Sequence, residues 1–223
     1  MAGSLGSELV ELVPLALVIT LSPLSIIPAI LVLHTPHKKQ AGLAYLVGWI
    51  FALAAMTLIF VEVSNLLSGV DKTPRWASYL RIVIGLALIV FGLYRWFTRH
   101  TSAHTPAWLR KITEASPAKA GVFGALLAVV NPKVVFICVA AGLSIGTAGL
   151  GLQGALFAEI YFVAIAAASV ALPVLAVVVA GDRLDEPLER LKEWMEKNHA
   201  ALVAAILVVI GLLVLYKGIH SLA

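Results

Sequence analysis

Six long apolar segments constrain this chain more than any other feature of its sequence. Each has the ~20 or more residues that an α-helix needs to cross the hydrocarbon core of a bilayer. The chain is 61% hydrophobic and 13% charged, whereas a soluble domain is about half apolar and about a quarter charged. The segments cover residues 8–33, 41–67, 77–98, 118–143, 150–180 and 200–219. We therefore predict an all-α integral membrane protein with six transmembrane helices in a single domain, residues 1–223.

The fourth segment carries three residues that a membrane helix rarely contains. Asn131, Pro132 and Lys133 follow one another inside the apolar run from Gly121 to Leu143. About 15 Å of helix separates Lys133 from Leu143, and snorkelling recovers only about one turn, ~5.4 Å. A charge at that depth costs about 2.5–3.5 kcal/mol, and the proline breaks the helix. These residues predict a polar site within the membrane.

The first segment is interrupted in a similar way. Ser22-Pro23 and Ser25 lie inside its apolar run, and Ser22-Pro23 precedes Asn131-Pro132 by 109 residues. With three helices in each half, the two halves would cross the bilayer in opposite senses. Broken helices at corresponding places of two inverted halves indicate the binding site of a transporter. We therefore predict a 3+3 inverted repeat, with repeat one at residues 8–98 and repeat two at residues 118–219.

Two acidic residues have a basic residue at a matching distance across a turn. Glu159 and Lys133 are nearly equidistant from Thr147, so antiparallel neighbouring helices would hold both charges within ~3 Å in depth. We expect an ion pair or a shared site there. Glu62 and Arg81 flank the earlier polar turn around Asp71 in the same way, and we predict that they form a structural ion pair. The predicted substrate-binding and transport residues are Ser22, Pro23, Ser25, Asn131, Pro132, Lys133 and Glu159.

Residues 182–198 differ in character from the apolar segments. Leu184, Leu188 and Leu191 recur at helical spacing on one side, and charged residues fill the rest. This pattern predicts a short amphipathic helix in the membrane interface, directly before the last span. A solvated helical linker that packs one face on the bundle fits the same pattern.

The distribution of basic residues predicts the orientation. Eleven of the sixteen Lys and Arg residues fall in three stretches that share one side of the membrane, and four fall on the opposite side. Loops rich in Lys and Arg stay in the cytoplasm. The three basic stretches are residues 34–40, 95–119 and 181–198. We therefore expect a cytoplasmic loop at residues 99–117 and both termini outside the cytoplasm.

The same motifs resemble a known group of exporters. Asn131-Pro132-Lys133, followed by Val-Val-Phe, is similar to the Asn-Pro-Lys motif of the LysE/RhtB superfamily of six-helix exporters. The first segment lacks the Pro-Gly-Pro of the amino-acid exporters in that superfamily. Its run from Ser22 to Leu33 instead resembles the Gap/Sap branch, the actinobacterial group linked to export of glycopeptidolipids and sulfolipids. The resemblance implies a LysE-like fold, transport of lipid and a location in the bacterial plasma membrane.

The sequence contains no motif for catalysis or for a nucleotide cofactor. It has no Gly-x-Ser-x-Gly, no His-Glu-x-x-His, no P-loop and no dinucleotide-binding glycine motif. The loop histidines lack paired helical ligand spacing, and the basic residues are dispersed. We expect no enzymatic activity, no cofactor, no metal site and no nucleic-acid partner.

Taken together, these features predict a membrane transporter that exports lipids or glycolipids across the plasma membrane, or assists their export. Lys133 would offer a counter-charge to an anionic headgroup, although a purely structural role for Lys133 stays open. Two alternatives fit the same sequence. The chain could export a small polar solute, such as an amino acid or a cation, or it could be a non-transporting accessory subunit of a larger lipid exporter. That larger machinery and a second copy of the chain are candidate partners.

Overall fold

A computed structural model of the protein describes residues 5–67 and 116–198, with a few isolated positions elsewhere. Every element in these two ranges is helical. The α-helices are α1 (Leu5–Thr20), α2 (Pro23–Val32), α3 (Lys38–Leu67), α4 (Pro117–Val130), α5 (Pro132–Thr147), α6 (Gly151–Ala180) and α7 (Asp185–Lys197), and a 3-10 turn at Gly181–Leu184 precedes α7. The all-α prediction is therefore confirmed for the described residues.

Two of these helices are each long and apolar enough to cross a membrane. They are Lys38–Ser64 within α3 and Gly151–Ala180, which is α6. The pair α1 and α2 is bent by 56° and the pair α4 and α5 by 72°, so the described residues hold up to four spans if each bent pair is one span. They match predicted segments one, two, four and five. Segments 77–98 and 200–219 lie outside the described residues, so six spans and the inverted repeat stay predictions.

Most of the described helices belong to one compact unit, Met1–Ser68 with Thr105–Trp194. Gly69–His104 and Met195–Ala223 form a second unit, whose described residues are the end of α7, Asn198 and the isolated positions. In the first unit α3 packs on α4, α5 and α6, and α1 packs on α6 and α5. The prediction of a single domain stays a prediction.

Glycines let α3 approach α4 and α5 closely. A Cβ atom at Gly48 of α3 would lie 2.0 Å from the carbonyl oxygen of Gly121. A Cβ at Gly142 of α5 would lie 2.6 Å from the carbonyl oxygen of Thr57, farther along α3. Small residues at such crossings are typical of membrane helices, whose backbones then come into contact. Along α4, a Cβ at Gly121 would meet Ala44 and one at Gly124 would meet Trp49, so α3 advances in the same general direction as α4. Along α5, Gly142 faces Thr57 and Gly146 faces Ser64, so the same holds for α5.

Candidate functional site

The break between α4 and α5 is built by Asn131 and Pro132. Asn131 is extended (φ −77°, ψ 105°), and its side-chain oxygen accepts a hydrogen bond of 3.1 Å from the backbone N–H of Lys133. Asparagine is a preferred residue at the start of a helix for this reason. Pro132 takes the first helical position, where a missing N–H costs nothing. The sequence therefore ends one helix and starts the next within a single residue.

The break between α1 and α2 has the same backbone plan but different side-chain contacts. Ser22 is extended (φ −81°, ψ 119°) and Pro23 starts α2. The Ser22 side chain makes no capping hydrogen bond, and among the described residues the buried hydroxyl of Ser25 has no hydrogen-bond partner. The first break therefore leaves a buried polar group unsatisfied, as buried polar groups at functional sites sometimes are.

Lys133 connects the two breaks. Its ammonium Nζ donates a hydrogen bond of 3.2 Å to the carbonyl oxygen of Val18 in α1. In an uninterrupted helix that oxygen would accept from the N–H of Ser22, but this N–H donates to Ile19 instead, at 3.1 Å. The break in α1 therefore frees the carbonyl that Lys133 uses.

The helix dipole of α1, and not that of α5, stabilises the ammonium of Lys133. A cation is stabilised near the carboxyl end of a helix and destabilised near the amino end. Lys133 is the second residue of α5, but its ammonium contacts the last turn of α1. Its position is thus explained by what its side chain contacts and not by its own helix. Sequence reasoning missed this contact, because a backbone carbonyl carries no residue signature.

Glu159 lies elsewhere in the described structure. It is 7% exposed and lines a cavity of about 250 Å³ together with Glu62, beside the turn that joins α5 to α6. Within residues 5–67 and 116–198, no ion pair joins Glu159 to Lys133. The estimate of equal depth centred the turn on Thr147, whereas α5 continues to Thr147 and α6 starts only at Gly151. Lys133 therefore lies 14 residues before the end of α5 (147 − 133) and Glu159 only 8 residues after the start of α6 (159 − 151), a difference of about 9 Å of helix. A shared role of the two residues in transport stays a prediction.

Only one residue of the second predicted ion pair lies in the described part of the chain. Glu62 is exposed on α3, at the edge of the cavity that Glu159 lines. Arg81 lies outside the described residues, so the pairing of Glu62 with Arg81 stays a prediction.

The amphipathic helix predicted over residues 182–198 is present as α7. The imidazole of His34, just after α2, lies 3.1 Å from the carboxylate of Glu189, and Lys192 donates to the same carboxylate at 2.7 Å. The hydrogen bond from Lys192 lowers the pKa of Glu189. Leu188 is buried, whereas Leu191 is 41% exposed. The helix is confirmed; its place in the membrane interface stays a prediction.

The parts of the chain that the structure describes contain no group of three or more His, Cys, Asp or Glu residues that could hold a metal ion. What the arrangement offers instead is a partly buried ammonium at the junction of two broken helices and, separately, a cavity with two carboxyl groups. The first suits an anionic ligand and the second a cationic one.

Comparison with known proteins gives one finding. No curated protein and no solved structure is significantly similar to this chain. The profile of the family described as Sap, sulfolipid-1-addressing protein, matches residues 12–220, which is nearly the whole chain. The match includes both helix breaks, Lys133, Glu159 and α7. This chain therefore belongs to the Sap, sulfolipid-1-addressing protein, family.

Proposed function

We propose that this protein exports an anionic lipid or glycolipid across the bacterial plasma membrane, or assists that export. The observation that carries the proposal is the Lys133 ammonium, held at 3.2 Å from the Val18 carbonyl where two broken helices meet. The description of the family, which names a sulfolipid, supports a substrate whose headgroup bears a negative charge. No catalytic step is part of the proposal.

The ammonium of Lys133 has hydrogen-bonding capacity to spare for a headgroup. A lysine ammonium has three N–H donors, and the Val18 carbonyl accepts from one of them. The amino end of α5 adds the positive end of a helix dipole at the same place, as in transporters whose broken helices bind anionic groups. Ser22, Pro23 and Ser25 at the facing break, with Asn131 and Pro132, complete the proposed binding site.

The proposal extends to the architecture. It places the chain in the LysE/RhtB superfamily, as a 3+3 inverted repeat of six spans with α7 in the membrane interface and both termini outside. Cysteines introduced at Ser4 should then react with an impermeant reagent in intact cells carrying Cys138→Ala, and cysteines at Asn198 should not. The opposite labelling pattern would reverse the orientation without affecting the site.

The test of the function uses a deletion strain complemented with variants of Lys133. Lys133→Gln removes the charge, and a hydrogen bond to a charged group contributes about 1.5–3 kcal/mol. We expect surface lipid per folded protein to fall by about tenfold or more. Lys133→Arg should keep the fold and still impair export, because a guanidinium is a wide planar fork and an ammonium is compact. The matched control is Lys119→Gln, which removes an exposed positive charge at the start of α4.

Two outcomes would redirect the proposal. Wild-type surface lipid in the Lys133→Gln strain, at equal protein abundance, would show that Lys133 only holds helices together. Co-purification of the chain with a larger lipid exporter would then favour the accessory role. Normal surface lipid in the deletion strain itself, with a changed content of a small solute, would favour the solute exporter.

A further inference from the structure

The cavity beside Glu159 carries two acidic side chains, and the proposed headgroup site gives them no role. It opens where α3, α5 and α6 meet the turn that contains Gly149, and its volume is about 250 Å³. Its carboxyl groups come from Glu62 and Glu159. Its remaining walls are glycine, alanine and aliphatic side chains such as Val61.

Glu159 is the buried member of the pair. Its side chain is 7% exposed and lines the cavity, and no hydrogen bond or ion pair reaches it from any residue in the described ranges. An ionised carboxylate without a partner is costly to hold among aliphatic walls, since these walls replace part of the water that would solvate it. The neutral acid carries a much smaller cost, and binding a proton produces it.

The other elements packed around Glu159 supply no compensating charge in the described ranges. From α3 the cavity receives Glu62, and from α5 and the turn it receives only aliphatic and glycine residues. Helix α1 also packs on α6 and carries Glu8 and Glu11, neither of which lines the cavity. A Ca²⁺ ion takes about six to eight oxygen ligands, and two carboxyl groups on aliphatic walls provide fewer.

We propose that Glu159 binds an exchangeable proton in the cavity that it shares with Glu62. A hydronium ion entering the cavity transfers its proton to the Glu159 carboxylate and leaves as water, and the reverse transfer returns the proton to water. The exposed Glu62 stands at the edge of the cavity and attracts cations toward it. If the proposed function holds, this proton is the ion whose movement drives export. Only this coupling of proton movement to export rests on the proposed function; the proton site itself does not.

The test is site-resolved modification by dicyclohexylcarbodiimide, which reacts with protonated carboxyl groups in apolar surroundings. The full-length protein is treated in lipid nanodiscs at several pH values, and modification of Glu159 is measured by peptide mass spectrometry. We expect modification to fall by about tenfold for each pH unit above the titration of the site. Glu8→Gln, which changes a buried acid outside the cavity, should leave this profile unchanged.

Three results would overturn the proposal. Glu159 could remain unmodified at every pH, or its modification could be independent of pH. Protection by sodium ions at constant pH would show that the site takes a metal cation instead. Failure here is distinct from failure of the proposed function: loss of surface lipid in Lys133→Gln without pH-dependent modification of Glu159 removes only the coupling. Modification of Glu159 with normal export by Lys133→Gln leaves the proton site and removes the headgroup site.

Discussion

The close crossing of α3 and α4 predicts a graded series of glycine-to-alanine effects. A Cβ at Gly48 would lie 2.0 Å from the Gly121 carbonyl oxygen, and a Cβ at Gly124 would lie 2.3 Å from the Tyr45 carbonyl oxygen. A Cβ at Gly121 would lie 3.2 Å from its nearest neighbour, and one at Gly6 would meet nothing within 4 Å. The same methyl group is therefore added at four helical sites that differ in the space available.

The magnitude follows from the backbone contact. Cβ atoms essentially never lie closer than 3.0 Å to another heavy atom, so Gly48→Ala must separate α3 from α4 by about 1 Å. The carbonyl oxygens of Gly121 and Tyr45, which the new methyl groups at Gly48 and Gly124 would meet, are backbone atoms and cannot rotate away. Overpacking of this kind costs about 1–3 kcal/mol. Gly6→Ala has no such cost and gains about 0.5–1 kcal/mol of helix preference, a gain common to all four variants.

Thermal unfolding in detergent, followed by size-exclusion fluorescence, measures the series. We expect losses in the order Gly48→Ala, Gly124→Ala, Gly121→Ala, with Gly6→Ala unchanged or slightly stabilised. For a protein of this size 1 kcal/mol corresponds to roughly 2–4 °C, so the Tm of Gly48→Ala should lie roughly 2–12 °C below that of Gly6→Ala. A Gly48→Ala protein as stable as Gly121→Ala would refute the packing of α3 on α4 described above.

Two further predictions concern the cap of α5 and the attachment of α7. Asn131→Ala should destabilise the protein by about 0.5–2 kcal/mol in the same assay, because it removes the acceptor for the Lys133 N–H, whereas Asn131→Ser should retain most of that stability. The pKa of Glu189 is lowered by its hydrogen bond from Lys192, so its carboxylate stabilises the folded state above its ordinary pKa and loses that effect as the pH falls through the lowered value. The free energy that protects α7 amides from hydrogen exchange should accordingly fall at acidic pH by less than about 1 kcal/mol, since the Glu189 side chain is 40% exposed, and Glu189→Gln should abolish this dependence.

The positions of the described helices could be predicted from sequence because apolar length and helix-breaking residues determine them. The fourth apolar segment, 118–143, became α4 and α5, and Pro132 placed the break. The fifth, 150–180, became α6, which starts at Gly151, ends at Ala180 and is followed by the cap residue Gly181 with φ 61°. Glycine adopts positive φ without strain, so its place at a helix end can be predicted from residue type alone.

The contacts of the site were less predictable. Asn131 and Pro132 act within one residue of each other, and their role is encoded locally. The partner of Lys133 depends on a 72° bend and on a backbone carbonyl 115 residues away, and neither property belongs to a side chain. Residue counting centred the turn on Thr147, where α5 in fact ends, so it could not place Glu159 beside that turn in a cavity with Glu62.

The separate surroundings of Lys133 and Glu159 lead to a last prediction. If the two residues formed a buried ion pair, removing one would strand the other, at a cost of about 3–5 kcal/mol, and removing both would restore much of the loss. In the structure Lys133 donates to Val18, and Glu159 lines the cavity with Glu62. Neither residue then becomes an uncompensated partner when the other is replaced. The losses of stability in Lys133→Gln and Glu159→Gln, converted from Tm shifts to free energies, should therefore add in the double variant to within about 0.5 kcal/mol. Restoration of stability in the double variant would show that the two charges meet in the membrane, and would join the headgroup site and the proton site into one.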